Sequence, residues 1–237
     1  MPKQLQDTIN LCQPFIDYIP VSAGVNNEPA ITLANNILNV ILGAPFSWAF
    51  NRAENTFQVL TQGTQDYTVA ITDFGWAEKA SLTLAGAIFE IPSVLNTSAL
   101  AVSAQQGRPN SMSVKSINPG TNVSFRFMGV PDAAYTLNLT YQKAPTAITA
   151  LTGTWSGIPD FYSDIYSNLF LAELYQLDGQ ETSARIYRQR GVASLLSRSE
   201  GLTDAQKNIF MTSALKDGLE TAALQLRLQQ AVTARGI

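Results

Sequence analysis

The chain has 237 residues, 46% hydrophobic and 14% charged, with a net charge of −3. At this size a folded chain buries roughly 70–75% of its unfolded surface, so a full core forms without covalent staples. The acidic balance argues against a protein that wraps phosphate backbones, a single cysteine forbids an intrachain disulfide, and the absence of histidine removes imidazole bases and imidazole metal ligands.

The first fifty residues read as helical. Leu5, Ile9, Cys12, Phe15, Ile16 and Ile19 fall at helical spacing, with Pro14 dividing the run. In a second helix Asn27 is expected to cap, Pro29 to sit in the first turn, and Ile31, Ala34, Ile37, Leu38, Ile41 and Leu42 to form the apolar face, ended by Gly43 and Pro45. Trp48 and Phe50 follow as core anchors. The chain start lacks an uninterrupted apolar signal core, and the greasiest segment is broken by Asn35, Asn36 and Asn39, so a soluble, unsecreted protein is expected.

From about residue 55 to 145 the period becomes two. Phe57–Val59, Tyr67–Ile71, Leu82–Leu84, Ile88–Ile91, Ser113–Ile117, Val123–Phe127 and Tyr135–Tyr141 are candidate strands between Gly, Pro, Asp and Asn. Such short strands predict an antiparallel sheet or a small sandwich. Val123–Phe127 and Tyr135–Tyr141, separated by Gly129 and Pro131, read as a β-hairpin. Residues 97–110 read as a long loop, and DFGWAEK as a loop that presents Trp76. Glycosylation patterns begin at Asn96, Asn122 and Asn138 and are read as ordinary polar positions.

After Ile158-Pro159 a helix carries Phe161, Ile165, Leu169, Ala172 and Tyr175 or Leu177 on one face and stops at Gly179; another spans about 180–197. Thr203 and Asp204 open a longer helix with two apolar stripes. Met211, Leu215, Leu219, Ala222 and Leu226 line one side, while Phe210, Leu224, Leu228 and Ala231 cluster nearly opposite. One stripe suits the subunit's own core. The other, Phe210, Leu224 and Leu228 with Arg227 and Arg235 beside it, is a candidate protein interface; a helix sandwiched inside its own subunit is the alternative.

The fold class expected is α+β: a helical bundle formed by N- and C-terminal helices with a central antiparallel β-sheet or small β-sandwich. Residues 1–52 form the N-terminal helices, 53–147 the β domain and 148–237 the C-terminal helices. Chemistry is scarce. There is no phosphate-binding loop or dinucleotide fingerprint, and Asp73-Phe74-Gly75 lacks every other kinase element. A glycosidase pair from Asp66 or Asp73 with Glu78 or Glu90 has no geometric support in sequence. No catalytic residue, cofactor or metal ligand is assigned.

The words PFSWAFNRAENTFQVLTQGTQDYTV, DFGWAEKASL, FRFMGVPDAAYTLNLTYQKAP and IPDFYSDIYSNLFLAELYQL, over roughly residues 28–195, resemble the head-to-tail adaptor proteins of short-tailed bacteriophages, the tail tubular protein A or gatekeeper type. The markers are Trp48, Gly63 to Tyr67, Tyr141 to Pro145 and Ile158-Pro159. The resemblance implies a non-enzymatic virion protein at the head–tail junction, assembled in the host cytoplasm. It implies a homo-oligomeric, dodecameric ring that docks on the portal protein, meets a tail nozzle or other tail protein, and passes double-stranded DNA during ejection without specific binding or any membrane contact. Two alternatives stay open: another neck or tail component binding a nozzle or fibre, and a carbohydrate-binding or carbohydrate-active β-domain whose Trp76 would stack a sugar.

Overall fold

In the computed structural model, which describes residues 3–16, 27–91, 94–95 and 105–235, the protein is α+β, and the chain divides into two compact units. Met1–Phe50 with Pro145–Gln230 form one, and Asn51–Ala144 with Ala231–Ile237 the other.

The first unit is helical. Helix α1 (Leu5–Cys12) buries Leu5, Thr8, Ile9 and Cys12 and gives way at Pro14 to a 3-10 turn, which leaves Phe15 exposed rather than on the buried stripe. Ile19 lies outside the described residues. Helix α2 (Ala30–Leu42) buries the expected apolar face and more. Its start differs from expectation: Pro29 is the cap residue, Asn27 (φ 45°) supplies only its carbonyl to Ile31 N–H, and the Glu28 carboxylate accepts from Thr32 N–H at 3.1 Å. One interrupting asparagine has a structural task. Asn35 donates to Ile148 O at 2.9 Å and accepts from Ile148 N–H at 2.8 Å, pinning the segment that precedes the next helices.

Helix α3 (Ser163–Leu177) buries Ile165, Tyr166, Leu169, Phe170, Leu171, Ala172, Leu174 and Tyr175. That run covers more than one face, so α3 is the central helix of the unit. Phe161 lies before α3 and is exposed, as is Leu177, so neither belongs to the buried face. Gly179 (φ 74°) stops the helix and α4 (Glu181–Arg198) returns against it; at Gly191 an added Cβ would meet Leu169 Cδ2 at 2.6 Å, so the absence of a side chain permits the approach. Trp155, stacked on Tyr166 with ring centroids 4.5 Å apart, donates to the buried Thr8 hydroxyl at 2.9 Å, and Trp48 donates to Ile41 O at 2.7 Å. Both indoles are core anchors with their N–H satisfied.

Cys12 lies in this core, where burial pushes its thiol up to about 12. At pH 8 its thiolate fraction is then roughly a thousandfold below that of an ordinary cysteine. A thiol reagent such as dithionitrobenzoate is expected to react on the order of 10³ times more slowly with the native chain than in 6 M guanidinium; an immediate native reaction would contradict the buried position.

The second unit is a two-sheet sandwich. Strands β1 (Arg52–Val59), β2 (Asp66–Val69), β3 (Phe74–Leu84), β4 (Ala87–Ile91), β5 (Val94–Leu95), β6 (Ser111–Asn118), β7 (Asn122–Met128) and β8 (Thr136–Lys143) pair as β1-β8-β3-β4 and β2-β7-β6-β5. Every pairing is antiparallel except β5 with β6. Inward residues of both sheets share one core, with Phe74 edge-on to Phe125 across it at 5.8 Å.

The expected hairpin is not one. β7 bonds β2 and β6, β8 bonds β1 and β3, and residues 129–135 carry the chain from one sheet to the other. Gly129 (φ 90°) starts the crossing, and Val130 is tied to Gln105 and Gly107 by backbone bonds of 3.1 and 2.9 Å. Phe125 and Phe127 therefore face Leu137, Leu139 and Tyr141 across the core instead of lying beside them. The true hairpins are β3–β4 and β6–β7. Residues 97–104 of the expected loop, and the pattern at Asn96, lie outside the described residues. Asn122 opens β7, and Asn138 in β8 donates to the Thr83 hydroxyl.

The β3–β4 turn has Ala85 at φ 49° and Gly86 at φ 82°. Two positive φ values are the requirement of a type I′ turn, which alanine meets with strain and asparagine more readily. Ala85→Asn is expected to stabilise the protein by about 0.5–1 kcal/mol, read as a higher denaturation midpoint with an unchanged slope.

Candidate interaction surface

Three of the four carboxylates considered for a glycosidase pair are tied up in side-chain hydrogen bonds in the sandwich. Asp66 accepts from Arg126 and Lys115 at 2.7 Å each, and those cations hold its carboxyl well below the usual range. Asp73 accepts from the Tyr141 hydroxyl at 2.8 Å; burial foremost, and then this bond, push that phenol up to about 12. Glu78 takes a two-point bond from Arg52 and a third from Gln142, which outweigh burial and lower its pKa. Glu90 sits exposed on β4. Among the described residues no group of three His, Cys, Asp or Glu could hold a metal ion, and no helix is long and apolar enough to cross a membrane.

Trp76 is not in a loop. It belongs to β3, opposite Gln142 of β8, and is half-buried with its indole N–H shielded and without a hydrogen-bond partner. The turn-like word DFGWAEK misled because Gly75 is the extra residue of a β-bulge between Phe74 and Trp76 and lets the β8 backbone approach: a Cβ there would lie 2.8 Å from Gln142 O.

The long C-terminal helix is two helices. Thr203 caps α5 (Asp204–Asp217) through a reciprocal pair with Gln206, and α6 (Leu219–Arg235) follows after Gly218. At φ 93° and ψ 170° Gly218 occupies a region essentially confined to glycine, so the helical path ends there although the apolar period runs on. Phe210 and Leu224 are thus on different helices. Phe210 is fully buried, edge-on to Phe46 with centroids 5.1 Å apart, and is a core residue of its own unit rather than part of an exposed stripe.

On α6 the separation of faces is clean. Leu219, Ala222, Ala223 and Leu226 are buried in the helical core, whereas Leu224 and Leu228, one turn apart, are 56% and 58% exposed. Arg227 donates from Nε to Ala44 O at 2.7 Å, and a Cβ on Gly43 would lie 2.6 Å from its Nη2, so this side chain fastens α6 to the end of α2. Arg235 is the last residue of α6; its side chain lies outside the described part. A notch between α5 and α6, about 410 Å³ and open, is lined by Ile209, Thr212, Lys216 and Gln225, with Ile209 37% exposed. Sequence periodicity identified the leucine pair but not the notch, which exists only because Gly218 turns the chain.

The exposed leucine pair leaves an apolar strip on the surface of α6. No curated protein matches the chain. A family model described as SU10 adaptor protein matches residues 21–231, extending through the C-terminal helices that the motifs of the β region do not reach. The chain belongs to the SU10 adaptor protein family, a family of bacteriophage adaptors.

Proposed function

We propose that this chain is a head-to-tail adaptor of the tail tubular protein A or gatekeeper kind. Its copies form a dodecameric ring that docks on the portal protein, joins it to a tail nozzle or another tail protein, and lines the passage through which DNA leaves. The work is structural, with no bond made or broken, and the place is the head–tail junction of the virion. The observation that carries the reading is the adaptor-family match across residues 21–231 on a subunit whose α6 leaves Leu224 and Leu228 uncovered.

Physical chemistry supports it. A closed ring is built from head-to-tail contacts, so each subunit must offer two different surfaces. The α6 leucines provide an apolar element for one of them. A net charge of −3 suits a wall along which a polyanion slides rather than binds. The experiment is negative-stain microscopy and mass photometry of the pure protein with and without its cognate portal. Rings seated on the portal are expected; a chain that stays monomeric with portal present would overturn the proposal, and capture by a nozzle or fibre protein alone would move it elsewhere in the tail.

A further inference from the structure

The sheet β1-β8-β3-β4 of the sandwich has one edge without the usual protections. In the other sheet the edge strands are short, four residues in β2 and two in β5, and β2 carries the ion pairs of Asp66 with Arg126 and Lys115. Strand β1 is interrupted by its bulge at Thr56/Gln58 and bears Arg52 and Glu54. Strand β4, Ala-Ile-Phe-Glu-Ile, has no proline, no lysine and no bulge against β3.

The backbone of that edge is unmet. Leu84 and Ala87 flank the two-residue turn and exchange both hydrogen bonds, so the bonded rungs are Leu84–Ala87, Leu82–Phe89 and Ala80–Ile91. The N–H and C=O of Ile88 and Glu90 therefore point away from β3, and among the described residues no backbone hydrogen bond reaches them. Apolar exposure is concentrated at the same place. Phe89 turns to the core face, where Arg108 lies over its ring at 4.6 Å, while Ile88 is 71% exposed on the outer face.

The opposite edge of the sheet supplies the match. Thr83 pairs with both Ile88 and Thr136, and Thr136 pairs with Val59, so Val59, Thr136, Thr83 and Ile88 form one rung with their side chains on one face. The two ends of this rung are 55% and 71% exposed. The four strands alternate in direction, so β1 and β4 run antiparallel to each other. A copy related by a rotation that keeps strand direction brings its β1 beside β4 as an antiparallel neighbour, with Val59 level with Ile88. We infer that β4 receives the β1 edge of a neighbouring copy, so that the sheet continues from subunit to subunit through an Ile88–Val59 contact. Pairing two different edges is the heterologous contact that a cyclic ring requires, and the assignment rests on the homo-oligomeric reading proposed above.

The test is oxidative crosslinking of the full chain carrying Val59→Cys and Ile88→Cys, alone and with its cognate portal. Within a subunit three strand spacings, about 14 Å, separate the two positions, too far for an internal disulfide, whereas opposite residues of adjacent strands lie about 4.5–5.5 Å apart. The native Cys12 is buried and adds little background. Expected is a ladder of dimers, trimers and larger species from the double variant, dimers only from a mixture of the two single variants, and monomers from each single variant alone. Glu90→Pro removes an N–H that the β3–β4 ladder does not use, so the subunit is expected to stay folded while the ladder yield falls about tenfold. Rings seen by microscopy without the crosslink would overturn this contact and leave the ring standing, whereas a ladder from a chain that never docks on portal would keep the contact and remove the adaptor reading. Absence of both would overturn the two together. Dimers from Ile88→Cys alone, which mean that β4 pairs with itself, or a ladder undiminished by Glu90→Pro would also overturn the assignment.

Discussion

Replacing Leu224 and Leu228 together with aspartate is expected to leave a folded subunit that no longer assembles. More than half of each side chain is already in water, so folding draws little on them. The cost to the monomer is confined to helix propensity, about 0.5 kcal/mol per aspartate. Assembly responds differently. Burying each leucine at a subunit contact would contribute roughly 1–2 kcal/mol, and a carboxylate placed there must be desolvated without a partner, which adds several more. The combined loss, at least about 3–4 kcal/mol per contact, weakens association by more than ~100-fold. Circular dichroism should show a melting curve close to wild type, while mass photometry with the portal should show monomers only. A variant that melts early would mean α6 is covered on both faces, and rings that persist would move the contact elsewhere.

The opposite signature is expected from Phe210→Ala. This ring is buried with no exposed surface and packs edge-on against Phe46, next to the buried Ala214 of the same helix. Its removal forfeits the transfer free energy of the ring and leaves a cavity that the aromatic cluster of Phe46, Trp48, Phe50 and Tyr162 can close only in part. A loss of about 3–5 kcal/mol follows, seen as a lower urea midpoint. Phe210→Leu, which keeps most of the volume, should cost about 1–1.5 kcal/mol. If Phe210→Ala kept its midpoint and lost only assembly, the residue would be an interface element after all.

The two variants separate residues that the sequence had grouped. At 100° per residue Phe210, Leu224 and Leu228 share a direction only if the helix runs unbroken through Gly218. A single glycine at φ 93° resets the angle, and the same wheel then describes two helices with unrelated faces. Periodicity reports which residues avoid water within one rigid helix; it carries nothing across a break. Trp76 failed for a related reason. Asp73 and Gly75 before it are turn residues by composition, yet Gly75 is the extra residue of a bulge in β3 that admits the β8 backbone.

What the sequence determined by itself is local and compositional. The α+β class, the helices on either side of a β region, the stop at Gly179, the cap at Thr203 and the burial of Trp48, Phe125 and Leu137 all follow from spacing and from residues with one preferred backbone geometry. What tertiary structure decided is partnership. A two-residue period states that one face of a strand is buried, not which strand bonds to it, so β7 and β8 read as a hairpin while they belong to opposite sheets. The same holds for the interaction surface. Leu224 and Leu228 are legible as apolar, but their exposure and the notch beside Ile209 depend on distant segments meeting, which no local pattern encodes.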